Sequence, residues 1–379
     1  MKIIIKEVKN KKALKEFVEF PYNLYKGNKY WIPQLIKDEM KLFQKEKNPA
    51  FEFCDVRIWL AYQNEKVVGR IVGFINYRFI EKWHDKYCRF GWIDFIDDEN
   101  VSKALLNTVE KWAKENGMDA VHGPLGFTDL DPEGMLIEGF EELGTIATIY
   151  NYPYYPEHLK KLGYNKDADW VEYEIKVPDK VPEKIERIAN IVLKKNKLRI
   201  LYASKIKELK PYMSDLFHML NTAYKELYGF VPLSEKQIQS YIKQYIGFAN
   251  PELISIILDE NNKVAAFGLT FPSLSKSFQK ANGKLFPFGF IHILKALKKN
   301  NLIDLYLVAV RPDLQGKGVN ALLFSELIKI YINNKFEKAE SNPELETNTK
   351  VQAQWKYFDR RQHKRRRCFI KHFNNKEIK

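Results

Sequence analysis

The sequence predicts an α/β protein of two tandem domains, each with a mixed central sheet flanked by helices. Three observations lead to this prediction. The chain has 379 residues, which is too long for one ordinary core. Segments typical of strands and helices follow the same β-α-β-β-β-α-β order in both halves. In the second half, one predicted strand runs through a glycine-containing loop directly into a predicted helix.

In the first half, alternating and β-branched residues predict the strands, and apolar residues at helical spacing predict the helices. The turn Gln63-Asn64-Glu65 joins two strands into a hairpin, and Gly117 ends the longest helix. The predicted strands are 2–8, 56–62, 66–77, 90–96, 120–124 and 170–175. The predicted helices are 12–25 and 101–116, with a short one over 158–163.

The second half repeats this order. Its predicted strands are 198–203, 253–258, 263–270 and 303–310, and its predicted helices are 206–228, 234–245 and 319–333. A basic, amphipathic segment separates the halves. We therefore predict an N-terminal domain over 1–178, a connector over 179–197 and a C-terminal domain over 198–379.

The glycine loop after the strand 303–310 is the most informative segment. The strand stops at Arg311-Pro312, Gly316 and Gly318 follow, and a helix starts at Val319. Such a loop directs backbone N–H groups and the positive end of a helix dipole at one spot, where a phosphate or pyrophosphate binds. The spacing matches neither a Walker loop nor Gly-x-Gly-x-x-Gly. An ordinary strand-to-helix turn is the alternative.

Composition and cysteine usage exclude several classes of protein. The chain is 45% hydrophobic, which suffices for packed cores and argues against disorder. Its three cysteines are too widely spaced for a disulfide framework or a metal-ligand pair, which fits a reducing cytoplasm. No run approaches the ~18 apolar residues of a membrane span, and the N-terminus lacks a signal-peptide pattern. We therefore expect a cytoplasmic protein without a metal.

The net charge of +14 is concentrated near the C-terminus, where residues 360–379 hold nine Lys or Arg against one Glu. One interpretation is nucleic-acid binding through 360–367. No reading motif accompanies the charge, and the alternation over 368–373 predicts instead that the run leads into a final edge strand. Anionic lipid head groups, an acidic carrier protein or phosphates are then the expected partners of the charge.

The glycine loop resembles the acyl-CoA loop of the GCN5-related N-acetyltransferase (GNAT) superfamily. That pattern is Val-x-Pro, then Gln/Arg-x-x-Gly-x-Gly/Ala, and this chain has Val310-Arg311-Pro312, then Gln315 to Asn320. Asn320 departs from the Gly or Ala of the family. The resemblance implies tandem GNAT-like domains, with acetyl-CoA or another acyl-CoA as substrate. It implies that this substrate binds at Val310, Gln315, Gly316, Lys317, Gly318, Val319, Asn320 and Ala321.

Motifs of the first half make the resemblance more specific within the GNAT superfamily. They are Phe20-Pro21-Tyr22-Asn23-Leu24-Tyr25, Trp31-Ile32-Pro33-Gln34-Leu35, the stretch 123–140 and Tyr150-Asn151-Tyr152-Pro153-Tyr154-Tyr155. Together they resemble a bacterial family of tandem GNAT-like proteins, some of which are named dATP pyrophosphohydrolases. The glutamate-rich helix that the nudix reaction needs is not visible in this sequence. The resemblance implies N-acylation of an amine, with sphingoid-type long-chain amines among the acceptors.

The halves differ where chemistry is expected. The first half has Asp97-Asp98-Glu99-Asn100 in place of the glycine loop, and these acids cap a helix and repel a pyrophosphate. We therefore expect the first domain to shape the acceptor side. Its candidates for binding a cationic amine are Asp129, Asp131, Asn151, Tyr154 and Tyr155. The alternatives are a solvated acidic turn and tyrosines that belong to the core.

GNAT enzymes use a carboxylate as general base and a tyrosine as general acid. Glu346 and Asn348 resemble the Glu-x-Asn segment of the family, so Glu346 is the candidate base and Asn348 a candidate substrate contact. The alternative is that both cap the following helix. Trp355 occupies the usual tyrosine position, so Tyr357 is the candidate acid, and Asp131 is a further catalytic candidate.

The segment 271–300 is long for a link between adjacent strands. Its apolar residues with a basic flank suit a lid over an acyl chain or a surface helix on an anionic membrane. An insertion packed on the sheet is the third interpretation.

The predicted function is transfer of an acyl group from acyl-CoA, or from an acyl carrier protein, to a small-molecule or lipid amine. The first alternative is a non-catalytic protein that uses the GNAT fold for binding or as a scaffold. The second is a nucleic-acid binder that acts through the basic run 360–367.

Overall fold

The structure is a computed structural model that describes residues 2–246 and 249–373. The last part of the basic segment 360–379 and the outer ends of the predicted domains 1–178 and 198–379 lie outside the described residues. The strands are β1 (Ile4–Glu7), β2 (Cys54–Gln63), β3 (Lys66–Asn76), β4 (Tyr87–Phe95), β5 (Ala120–Gly123), β6 (Met135–Glu138), β7 (Asn165–Lys176), β8 (Arg199–Leu201), β9 (Ile254–Leu258), β10 (Val264–Pro272), β11 (Leu302–Val310), β12 (Lys338–Ser341), β13 (Glu344–Leu345) and β14 (Arg360–His372).

The helices are α1 (Lys11–Leu24), α2 (Ile36–Leu42), α3 (Tyr77–Trp83), α4 (Glu99–Glu115), α5 (Tyr154–Lys161), α6 (Glu183–Lys195), α7 (Ile206–Ala223), α8 (Glu235–Ile246), α9 (Ser275–Ala281), α10 (Gly289–Lys298), α11 (Val319–Asn333) and α12 (Thr349–Gln352). The predicted α/β class is confirmed, and so is the repeated order, since β1-α1-β2-β3-β4-α4-β5 matches β8-α7-β9-β10-β11-α11-β12. The elements absent from the predicted ones include α2, α3, β6, β12 and β13.

Packing divides the chain into two compact units that are not contiguous in sequence. One contains Met1–Val171 with Ser275–His292 and His363–Lys379, and the other contains Glu172–Leu274 with Ile293–Gln362. We call them the N-terminal and C-terminal units. The domain boundary at 178 stays a prediction. The compact units do not follow it, because the N-terminal unit also includes two segments from the second half of the chain. The predicted connector is largely the helix α6, which belongs to the C-terminal unit.

The N-terminal unit is built on a sheet with the strand order β1-β2-β3-β4-β5-β14. Neighbours are antiparallel except β4 and β5, which run parallel. The helix α4 buries Val101, Leu105 and Val109 against one group of sheet side chains. The helix α1 buries Phe17 and Val18 against another. Helices thus flank the sheet of this unit.

The C-terminal unit has the order β12-β11-β10-β9-β8, and the end of β7 pairs antiparallel with β12. The strands β11 and β12 are parallel. The helices α6 and α11 share one core with these strands, in which Ile185 and Val192 meet Val319 and Leu323. This core holds the glycine loop, because Val319 is the first residue of α11 and is itself buried.

The basic run near the C-terminus belongs to β14, which lies between β5 and β7 in the strand order. The prediction of a final edge strand is therefore wrong. The cations of the run are held within the protein: Arg367 donates to both carboxylate oxygens of Asp169 at 2.7 and 2.9 Å. Arg361 contacts Glu174 at 3.0 Å, and Lys364 and Arg366 are buried.

All three cysteines, Cys54, Cys88 and Cys368, are free and buried. Burial raises the pKa of the Cys54 thiol to about 12. These thiols are therefore shielded and poorly reactive. Among the described helices, none is long and apolar enough to cross a membrane.

Candidate functional site

The glycine loop occupies the turn between β11 and α11. After Val310 the chain makes a short 3₁₀ turn at Pro312–Leu314, and then Gly316 and Gly318 adopt left-handed φ values of 73° and 81°. The side-chain amide of Gln315 donates to the Val310 carbonyl at 3.0 Å, which ties the loop back to the strand end. The eight residues predicted to hold an acyl-CoA are consecutive or nearly so along this turn.

The two glycines have different roles. A β-carbon on Gly318 would lie 3.1 Å from both Ile188 and Val192 of α6, so this glycine allows close packing under the loop. A β-carbon on Gly316 would have no atom within 4 Å, so only its left-handed backbone favours glycine. The backbone at Gly316 is open to solvent, as a ligand-binding surface requires.

The start of α11 is suited to an anion. It has no acidic residue in its first turn, and no side chain caps it. The first N–H groups of a helix have no partner within the helix, so those of Val319 and Asn320 can face a ligand. In the first half, by contrast, the Asp98 carboxylate accepts the Asn100 N–H at 2.8 Å and caps α4. The predicted acidic cap of α4 is thus present.

The strand β11 diverges from the neighbouring strand β12 before it reaches the glycine loop. It pairs with β12 only from Leu302 to Leu305, and then continues alone on that side to Val310. On its other side, the register with β10 shifts between Leu305 and Leu307, so that Tyr306 forms a bulge. A bulge bends a strand and redirects its backbone groups, and bulges are frequent beside active sites. The side-chain amide of Asn342 donates to the Tyr306 carbonyl at 2.9 Å.

The half-buried carboxylate of Glu344 lies in β13, just after β12 has ended at Ser341. Its two oxygens accept the indole N–H of Trp355 at 2.8 and 3.0 Å. Burial raises the pKa of Glu344 to about 8, against the opposing hydrogen bonds from Trp355 and Ser341. A carboxylate with this pKa is a strong base that can take a proton near neutral pH.

The hydroxyl of Tyr224 reaches β11 beside the bulge. It donates to the Val308 carbonyl at 3.0 Å. Burial raises the pKa of Tyr224 to about 12, and the negative charge of Glu344 adds to this, against the hydrogen bond to Val308. Tyr224 therefore keeps its proton across the neutral range. Sequence reasoning missed both Tyr224 and Glu344.

The predicted residues near this site are placed differently from expectation. Glu346 lies two residues after the carboxylate that Trp355 binds, and its carbonyl accepts the Gln352 side chain at 3.0 Å. Asn348 caps α12 by accepting the Val351 N–H at 3.4 Å, which was the alternative to substrate contact. Tyr357 is 46% exposed, and Lys184 lies over its ring at 4.9 Å.

The acidic candidates Asp129 and Asp131 belong to the N-terminal unit. The Asp131 carboxylate accepts the Thr128 N–H at 3.0 Å. Burial raises the pKa of Asp131 to about 6, and burial together with the Asp129 charge raises that of Glu133 well above its ordinary value. This loop is therefore a partly buried acidic cluster, and not a fully solvated turn.

The other candidates for binding the acceptor amine, Asn151, Tyr154 and Tyr155, make hydrogen bonds to the backbone of the N-terminal unit. The Asn151 side chain accepts the Leu136 N–H at 2.7 Å and donates to the Leu136 carbonyl at 3.0 Å. Tyr154 donates to the Phe95 carbonyl at 2.6 Å, and Tyr155 accepts the Phe95 N–H at 3.1 Å. Asn151 and Tyr155 are buried, so the structure gives them a packing role and no open face for a substrate.

One group of side chains in the N-terminal unit has the donor atoms for a metal. Donor atoms of His122, Asp167 and Cys368 all lie within 4.8 Å of one another. The His122 ring and the Asp167 carboxylate are already 3.2 Å apart. Such a pair forms without a metal, so this geometry alone assigns none.

Two curated bacterial proteins are similar to this chain over most of its length. No family model matches it. It is 27% identical over 375 residues to Protein YghO of Escherichia coli (strain K12), covering 97% of this chain and 95% of that protein. It is 25% identical over 293 residues to a bacterial ceramide synthase of Caulobacter vibrioides (strain NA1000 / CB15N), covering 77% of this chain and 75% of that protein.

Solved structures share the fold at low sequence identity. A tandem GNAT protein from the clavulanic acid biosynthesis pathway superposes with a TM-score of 0.55 at 10% identity, covering 99% of this chain and all (100%) of that one. A GCN5-related N-acetyltransferase from Sphaerobacter thermophilus gives a TM-score of 0.52 at 9% identity, covering 98% and 95%. The resemblance predicted from the glycine loop is thus confirmed at the level of the fold, and this chain is a tandem GNAT-fold protein.

Proposed function

We propose that this protein is an N-acyltransferase that moves an acyl group from an acyl thioester of CoA, or of a carrier protein, to the amine of a long-chain lipid. The observation that carries the proposal is the order of groups along β11: a bulge at Tyr306, the Tyr224 hydroxyl on Val308, and the glycine loop after Val310. This strand and the loop that follows it thus offer backbone groups for a thioester and a cradle for a pyrophosphate.

The donor is bound by the loop. Backbone N–H groups at Gly316, Gly318 and Val319, with the dipole of α11, bind the pyrophosphate, and the exposed Lys317 adds a positive charge. The pantetheine arm then follows β11 where that strand has lost its neighbour. Beyond Leu305, where β12 no longer pairs with β11, a backbone N–H of β11 polarises the thioester carbonyl.

The acyl transfer needs two proton movements. The amine nitrogen attacks the thioester carbon and its proton passes to the Glu344 carboxylate, while the carbon–sulfur bond breaks. The CoA thiolate takes a proton, for which the proposed donor is the neutral hydroxyl of Tyr224, which lies against β11 at the Val308 carbonyl. Glu344 thus replaces Glu346 as the proposed base, and Tyr224 replaces Tyr357 as the proposed acid.

The class of acceptor is inferred from the relatives. One relative is a ceramide synthase, and a ceramide is an N-acylated long-chain amino alcohol. That reaction needs the same chemistry that the described site offers, namely a thioester cradle and a general base. A long-chain amino alcohol is therefore the first acceptor to test.

Binding of the donor is tested at Gly316. Asp and Asn both tolerate its left-handed backbone and have the same shape, so Gly316→Asp and Gly316→Asn differ only in charge. We expect Gly316→Asp to weaken CoA binding in titration calorimetry by about tenfold or more, as expected for a negative charge beside a diphosphate. Gly316→Asn should stay near wild type. Equal binding by both variants would remove the pyrophosphate from this loop.

Catalysis is tested with a matched pair of glutamate variants. Release of the CoA thiol is followed with a thiol reagent, for which the protein gives little background because its three cysteines are buried. Glu344→Gln should lower kcat about a hundredfold or more, whereas Glu346→Gln should have little effect. Donor binding without turnover on long-chain or short amines would favour the scaffold alternative instead.

A further inference from the structure

The segment 284–299 presents large apolar side chains to solvent. The exposed fractions of Phe286 and Phe288 are 69% and 68%, and that of Leu294 is 52%. Phe290 and Ile291, also exposed, continue the surface into α10. We call this surface the aromatic tip. Its phenylalanines lie close together, since the rings of Phe286 and Phe290 are 5.5 Å apart.

The aromatic tip is held in place by the part of the segment that precedes it. The Gln279 side chain donates to the carbonyls of Lys29 and Trp31 at 2.9 and 3.0 Å. The Gly283 carbonyl accepts the Ile36 N–H at 3.0 Å. The helix α9 also buries Phe278 and Ala281, so the chain that leads into the tip is fixed within the N-terminal unit, to which residues 275–292 belong. The phenylalanines that follow are exposed, so the interpretation as a packed insertion does not fit the tip.

The charged side chains of the segment that carries the tip have one sign. Residues 271–300 contain six lysines and no Asp or Glu. Lys284, Lys295, Lys298 and Lys299 are exposed in the same segment as the phenylalanines. Apolar side chains flanked by lysines are typical of segments that lie in the interface of a membrane with anionic lipids.

We propose that the aromatic tip inserts into the surface of a bilayer that contains anionic lipids. Phe286 and Phe288 enter the boundary between head groups and acyl chains, and the lysines bind the lipid phosphates. A second copy of this chain fits the tip less well, because a two-fold contact would bring the lysines of both copies together. The proposal needs neither an acyl-CoA nor turnover, so its test is independent of the acyltransferase proposal.

Vesicle flotation tests the proposal directly. Wild-type protein should float with vesicles of equal parts phosphatidylglycerol and phosphatidylcholine, and much less with phosphatidylcholine alone. Phe286→Ser/Phe288→Ser and Lys295→Glu/Lys298→Glu should each reduce binding about tenfold or more. The matched controls lie on α6, where Ile191 is 57% exposed: Ile191→Ser and Lys194→Glu/Lys195→Glu should leave binding unchanged.

Insertion has its own spectroscopic readout. Phe288→Trp should show a blue shift of the added tryptophan with anionic vesicles, and Ile191→Trp should not. The proposal is overturned if wild type does not float with anionic vesicles, or if the α6 controls lose binding equally. It is also overturned if Phe286→Ser/Phe288→Ser only abolishes a concentration-dependent dimer in sedimentation.

Discussion

The burial that raises the pKa of Glu344, the proposed base, also makes the ionised form of this side chain destabilise the folded protein, and Glu344→Gln tests both effects. In the folded protein the pKa of Glu344 is raised from 4.5 to about 8, chiefly by burial. Each pKa unit corresponds to about 1.4 kcal/mol, so the fully ionised carboxylate destabilises the fold by up to about 5 kcal/mol. The glutamine variant retains the shape and cannot ionise.

The sign of the effect follows from proton binding. Between pH 4.5 and about 8 the unfolded chain has lost this proton while the native protein keeps it, so stability falls as pH rises through this window. Wild type should therefore lose up to about 4 kcal/mol more than Glu344→Gln between pH 5 and pH 9. The kcat/KM of wild type should rise over the same range with a midpoint near pH 8, since the base must be ionised.

Urea unfolding followed by circular dichroism at pH 5, 7 and 9 measures this difference. Glu346→Gln is the control, as it makes the same change two residues away and should follow wild type. If the stability of wild type and Glu344→Gln changes in parallel with pH, Glu344 is not a buried, protonated carboxyl, and its assignment as the base fails.

Three further predictions follow from named contacts. Trp355→Phe removes the hydrogen bond to the Glu344 carboxylate, so the midpoint of the pH–activity profile should rise by about one pH unit. Tyr224→Phe should lower kcat by about tenfold or more and leave CoA binding in calorimetry unchanged, because it removes a proton donor without changing the loop. Arg367→Ala leaves the carboxylate of Asp169, whose side chain is 1% exposed, without its bidentate partner, and should lower the free energy of unfolding at pH 7 by roughly 3 kcal/mol. That last difference should shrink in acid, as Asp169 becomes neutral. The first prediction is contradicted if the pH–activity profile of Trp355→Phe matches that of wild type. The second is contradicted if Tyr224→Phe keeps the wild-type kcat, and the third if Arg367→Ala unfolds at the same urea concentration as wild type.

The conformation of the glycine loop could be predicted from sequence because its determinants are local. Two glycines between an apolar strand and an apolar helix leave few other conformations, and the structure shows Gly316 and Gly318 in the left-handed region. The raised pKa of Glu344, the proposed base, could not be predicted in the same way. Glu344 and Glu346 are two residues apart, and what distinguishes them is the indole N–H of Trp355, a contact made only by folding. The presence of a tryptophan where the family has tyrosine was the available clue.

The partner of the strand β14 also could not be predicted from the local sequence pattern. The alternation over 368–373 correctly indicated a strand, but its place beside β5 depends on residues some 250 positions apart, as in the pair Phe369 and Gly123. Sequence periodicity carries no information about such partners. The same limit applies to Tyr155, whose burial comes from the tertiary contacts around Phe95.

The exchange of terminal segments has a consequence for biosynthesis. The sheet of the N-terminal unit lacks its strand beside β5 until His363–His372 is available. These residues are translated long after β5, so the first half of the nascent chain waits with an unpaired strand edge until they emerge. Molecules that lack β14 therefore lose a piece of the half that was made first, and the open edge beside β5 is exposed to proteases and to other chains.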